Sequence, residues 1–162
     1  MRTPNDVLIH GLTVSRDLLA RYTADLTPQE YLHHPFPKAN CAAWIIGHLI
    51  LSERKALSLL GVDPLPEVPA GFENRFPREV TDKPADDYGD VTQLIPLFNA
   101  HRNRLIEVVK SATPEMLDKP LEKPFPIAKT VGELVSFFAA HVAMHAGQIT
   151  RIRRSLGRPP LV

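Results

Sequence analysis

The 162-residue chain reads as an all-α protein, a four-helix bundle with one long crossover between its second and third long helices. Three observations predict this. Long segments carry apolar residues at the 3.6-residue period, none shows sustained two-residue alternation, and the segments are bounded by capping residues, prolines and glycines. The length suits one domain able to bury its own core, so residues 1–162 are expected to form one domain.

The first long helix opens at Thr3 as N-cap, with Pro4 at its first position and Asp6 completing a capping box. Val7, Leu8, Gly11, Leu12, Leu18, Leu19 and Tyr22 follow the helical period. Thr27-Pro28-Gln29-Glu30 repeats the start signal for a short helical turn. Asn40 is placed as cap of the second long helix, which runs from Cys41 to about Leu60 and stops at Gly61. From Val62 to Tyr88 the chain is proline-rich and aperiodic, a connection of the kind that joins helices which are not spatial neighbours.

The third long helix begins near Asp90-Val91-Thr92-Gln93 and carries Leu94, Leu97, Phe98, His101, Leu105 and Val108 on one face. Pro96 removes a backbone donor there, which predicts a kink or a later start. Thr113-Pro114-Glu115 marks another short turn, followed by a proline-bearing loop to Lys129. The last helix has the clearest start, Thr130 with Glu133 three residues on. It is expected to reach Leu156 and end at Gly157, with Pro159 and Pro160 beyond. Its inner stripe reads Leu134, Phe138, His141, His145, Gln148 and Ile152. No strand is expected.

Nineteen basic and eighteen acidic residues leave a net charge of +1, spread along the chain, which argues against nucleic-acid binding. Arg151, Arg153, Arg154 and Arg158 cluster at the end of the last helix, where cations suit the helix dipole. With Cys41 as the only cysteine no intramolecular disulfide forms, and a reducing cytoplasm is the expected setting. The first residues lack the apolar core of a signal peptide, and no apolar run approaches the roughly 20 residues of a membrane span. A soluble cytoplasmic protein is expected, with no membrane partner.

The chemistry lies in the histidines. His141 and His145 are four residues apart and share a helix face, and His48 sits within a second long apolar segment. If that segment packs against the face, three neutral nitrogen ligands converge on one cation with a position left open, as in catalytic zinc sites. A buried imidazole needs a hydrogen bond, a charge or a metal, so a satisfied core histidine is the competing account of each one. Trp44 lies one turn before His48, on a face shared with Leu51 and Lys55, and either lines a pocket or fills the core. Gln148 either orients a ligand or sits at a helix interface. His101 is a further candidate for the cavity lining. His33 and His34 stand either at the mouth of the site or in solvated loops, and His10 carries no signal.

Other chemistries are absent. His141-Val142-Ala143-Met144-His145 lacks the glutamate that serves zinc metalloproteases as general base. No phosphate-cradling glycine loop, paired cysteine motif or nucleophile elbow is present. Cys41 reads as a small buried residue or, less simply, a thiol activated by a helix N-terminus. Glu53 reads as a surface charge and Glu133 as a cap.

Asn40-Cys41-Ala42-Ala43-Trp44-Ile45-Ile46-Gly47-His48-Leu49, followed by His141-Val142-Ala143-Met144-His145-Ala146-Gly147-Gln148, resembles the DinB/YfiT-like superfamily. That resemblance implies an up-down-down-up four-helix bundle with His48, His141 and His145 as ligands of a divalent metal ion, nickel or zinc first among them. It also implies a homodimer in many members. Where activities are known they are metal-dependent thiol S-transfers with bacillithiol, glutathione or mycothiol, and a mycothiol-dependent maleylpyruvate isomerisation. The expected partners are therefore a small-molecule thiol and an electrophilic co-substrate. Metal-assisted hydrolysis and a non-catalytic, stress-associated metal-binding bundle are the alternatives.

Overall fold

The computed structural model describes residues 2–77 and 83–159, so Pro160 and residues 78–82 of the predicted crossover lie outside the described residues. In chain order the elements are helices α1 (Pro4–Thr23), α2 (Pro28–Tyr31), α3 (Ala42–Leu59) and α4 (Phe72–Arg75), then 3-10 turns at Ala85–Tyr88 and Val91–Gln93. Helices α5 (Leu94–Ser111) and α6 (Pro114–Asp118), strands β1 (Pro120–Phe125) and β2 (Ala128–Thr130), and helix α7 (Val131–Ser155) complete it. Among the described residues, no helix is long and apolar enough to cross a membrane.

Capping decides most boundaries. Thr3–Asp6, Thr27–Glu30 and Thr130–Glu133 form reciprocal capping boxes at α1, α2 and α7. At the end of α3, Gly61 takes a left-handed φ of 74°, donates to the Ser58 carbonyl, and lets Val62 donate to Leu57. Gly157 ends α7 in the same way. The start of α3 differs from expectation: Cys41, not Asn40, is the N-cap, and it makes no side-chain cap bond. Cys41, Ala42 and Ala43 are all buried, so packing rather than an exposed polar cap sets this helix start. Pro96 falls in the first turn of α5, where its missing N–H has no intrahelical partner, so the helix starts later rather than kinking.

The four long helices pack as neighbours in a ring, α1 with α7 and α5, and α3 with α5 and α7. The core forms two apolar clusters. Helices α1 and α7 run from the Leu12–Leu134 cluster toward the Leu19–Ile149 cluster, whereas α3 and α5 run the other way. The arrangement is up-down-down-up, and it corrects the expectation for the crossover. That connection joins the spatial neighbours α3 and α5; it is long because they are parallel, so the chain must return about 27 Å, the length of an 18-residue helix. On the way it places Phe72, Phe76 and Tyr88 in the core.

The β1–β2 hairpin is the other departure, since a loop was expected there. The strands pair antiparallel, Pro120 opposite Thr130 and Phe125 opposite Ala128, with a register shift between. Its prolines suppress the alternation that marks a strand, and a pair this short borrows its stability from α3 and α7, which it touches.

Candidate metal centre

The packing of α3 against α7 brings His48 to the face that carries His141 and His145. One ring nitrogen from each of the three lies within 4.8 Å of the others. The ring centroids of His48 are 5.4 Å from those of His141 and 5.1 Å from those of His145. His141 and His145 stand nearly perpendicular, with their Nε2 atoms 3.1 Å apart. Two aromatic nitrogens so close must share a proton or a cation.

The surroundings select the neutral ligand form. Burial first, then the neighbouring His145 and His48, push His141 down to about 4. Burial pushes His145 down as well, against its bond to Gln148. Gln148 Oε1 lies 2.9 Å from His145 Nδ1. An amide oxygen only accepts, so Nδ1 carries the hydrogen and Nε2 keeps its lone pair toward the cluster. His141 Nδ1 is buried with no hydrogen-bond partner among the described residues, which leaves its chemistry to Nε2. Trp44 stacks on His48 at 5.0 Å and 4°, and its indole N–H donates to the Pro77 carbonyl at 2.9 Å. His141 and His145 held in the neutral form, with a ring nitrogen of His48 within 4.8 Å of theirs, fit a divalent metal ion.

Beside His48 and His141 opens a cavity of about 450 Å³. Its aromatic walls are Phe76, Phe125, Phe137 and Phe138, and Ser52 and Lys55 line it from α3. The Phe137 ring lies 5.4 Å from that of His141 and is close to parallel with it. Trp44 is therefore the plate against which His48 rests, and phenylalanines make the aromatic lining. Phe137 and Phe138 stand one turn before His141 and were accessible to helical spacing. Phe125 comes from the unexpected hairpin and had no sequence signal.

Three expectations are corrected. Helical spacing puts Gln148 on the inner stripe, yet it is exposed and reaches back one turn to His145. Glu53, a surface charge by sequence, is fully buried against Arg102. Burial pushes the Glu53 carboxyl up, against the pull of that guanidinium. His101 is fully buried but lies outside the cavity lining. Its Nδ1 is 2.7 Å from the Leu97 carbonyl and its Nε2 faces Arg54, and burial holds its pKa down.

Elsewhere, His33 pairs with Ser155, His34 with the Ala39 carbonyl, and His10 is exposed. Cys41 is the small buried residue: burial raises its thiol pKa, the opposite of activation.

The sequence profile of the DinB superfamily matches residues 12–149, a span that holds all three histidines, Trp44 and Gln148. A comparison with curated proteins finds no match. With 138 of the 162 residues inside the family profile, and with its up-down-down-up helices, this chain belongs to the DinB superfamily.

Proposed function

We propose that the protein holds a divalent cation, zinc or nickel, on His48, His141 and His145 and works as a low-molecular-weight-thiol S-transferase or a related thiol-dependent enzyme. The observation that carries this reading is the convergence of three imidazoles at the edge of an aromatic-walled cavity that, among the described residues, no carboxylate lines. When bound, the cation supplies Lewis acidity that lowers the pKa of a thiol at its open position.

The chain's own residues do the rest. Gln148 fixes the tautomer of His145, and Trp44 fixes the plane of His48. Phe137 and Phe138, with rings 5.4 and 6.1 Å from that of His141, make its cavity side apolar. Phe76 and Phe125 offer an apolar surface for an electrophile. Conjugation forms one S–C bond and releases the leaving group and the thiol proton.

Hydrolysis has less support, because it needs a base near the attacking water. Glu53, the buried acid of α3, has both oxygens engaged by Arg102 and does not line the cavity. The test is conjugation of a fluorogenic electrophile by the zinc- or nickel-loaded protein with bacillithiol, glutathione and mycothiol in turn. Metal-dependent product that is lost in His141→Ala supports the proposal; no product with any of the three thiols refutes it.

A further inference from the structure

His48, Ser52 and Lys55 fall at i, i+4 and i+7 on α3 and line the same cavity. Lys55 forms no ion pair among the described residues. Its ammonium stands 5.7 Å from the centroid of Phe125, above the ring that walls the cavity. The cavity therefore carries a cation at one end and, at the other, a histidine cluster suited to a second. Neither is offset by a lining carboxylate among the described residues. Three neutral ligands leave the charge of a divalent ion uncompensated, so the electrostatic complement of this cavity is a guest with two separated negative poles. Ser52 adds a hydroxyl between them.

We propose that Lys55 recognises an oxyanion on the thiol substrate. The substrate class is then a thiol with a carboxylate or phosphate at the end remote from its sulfur, since His48 and Lys55 are themselves set about 10 Å apart along the axis of α3. The aliphatic or aromatic stretch between them lies along the phenylalanine walls. This proposal rests on the thiol-dependent reading above, and it adds the length and charge of the substrate. Lys55 determines specificity here; it takes no part in bond making.

Trp44, the only tryptophan, stacks on His48, so its fluorescence reports occupancy without turnover. Binding to zinc-loaded protein is measured for mercaptooctanoate, mercaptooctanol, mercaptooctylphosphonate, octanoate and the short mercaptopropionate. Mercaptooctanoate is expected to bind about fivefold tighter than mercaptooctanol, the upper range for an ion pair in contact with water. That advantage is expected to vanish in Lys55→Gln, return in Lys55→Arg, and be absent for mercaptopropionate, which is too short to reach. The phosphonate, set against the carboxylate, tells which oxyanion is preferred.

Equal affinity of mercaptooctanoate and mercaptooctanol, unchanged in Lys55→Gln, overturns the role of Lys55 and leaves the thiol reading standing. Lys55-dependent binding of octanoate with no metal-dependent binding of mercaptooctanol overturns the thiol reading and upholds the oxyanion subsite. Lys55 is exposed, so the melting temperature of Lys55→Gln is expected to match that of the native protein.

Discussion

Arg102 grips Glu53 with two hydrogen bonds, Nη2 to Oε1 at 2.6 Å and Nε to Oε2 at 3.0 Å, and neither side chain is exposed. The remaining N–H groups reach Ser15 Oγ and the carbonyls of Leu12 and Phe138, so all five donors are used. Ser15, Glu53 and Arg102 each fall between the two apolar clusters along their helices, and Phe138 stands one turn before Val142 of the second cluster. One charged pair thus ties α1, α3, α5 and α7 together in a single polar layer. Removing one partner strands a buried charge, whereas removing both does not. Arg102→Met is expected to cost about 3–5 kcal/mol, and the double change Arg102→Met with Glu53→Leu markedly less. Urea unfolding of the three proteins checks this, and a double variant weaker than the single would contradict it.

Two glycines in long helices are expected to respond with opposite signs. A Cβ on Gly47 would lie 2.2 Å from the buried Phe76 ring, so Gly47→Ala is expected to destabilise by about 1–3 kcal/mol and to move a wall of the cavity. A Cβ on Gly147 meets nothing within 4 Å among the described residues, so Gly147→Ala gains helix propensity, about 0.5–1 kcal/mol. Thermal melting of the pair decides, and equal signs would refute the packing account.

Gln148 touches the metal centre only through His145 Nδ1. Gln148→Leu leaves the three imidazoles in place but frees the ring and its tautomer. Zinc affinity is expected to fall about 10- to 100-fold, with the melting temperature of the metal-free protein unchanged. Competition against a chromogenic chelator measures this, and native affinity would show that the bond does no orienting.

Acid stability has a local origin as well. Hydrogen bonds from Arg158, then from the Thr27 backbone, hold Glu30 down at about 2 against its ordinary 4.5. Arg153 lowers Asp25 in the same way. A carboxylate with a depressed folded pKa stabilises fully above its unfolded value and loses that contribution as pH falls through its folded value. Glu30→Gln is therefore expected to melt below the native protein at neutral pH, with the gap closing between about 4.5 and 2. A gap that stays constant with pH would exclude this origin.

Much of this was legible in the sequence. Capping boxes at Thr3, Thr27 and Thr130 need only neighbours in the chain, and the spacing of His141 and His145 fixes their common face. What was not legible depends on distant partners. Glu53 looks like any helical surface acid until Arg102 arrives from 49 residues away. Arg153 and Arg158, read as helix-dipole cations, turn out to bind Asp25 and Glu30 across the fold. The cavity wall at Phe125 depends on a hairpin whose prolines hide its strands.

The central claim is that three imidazoles from α3 and α7 hold one cation, and metal content tests it most directly. Elemental analysis of protein purified without added metal is expected to find close to one equivalent of a divalent transition metal in the native chain. His145→Ala is expected to contain none, with its helical circular dichroism intact. Full metal loading in His145→Ala, or a native chain that neither carries nor takes up a divalent ion, would contradict it.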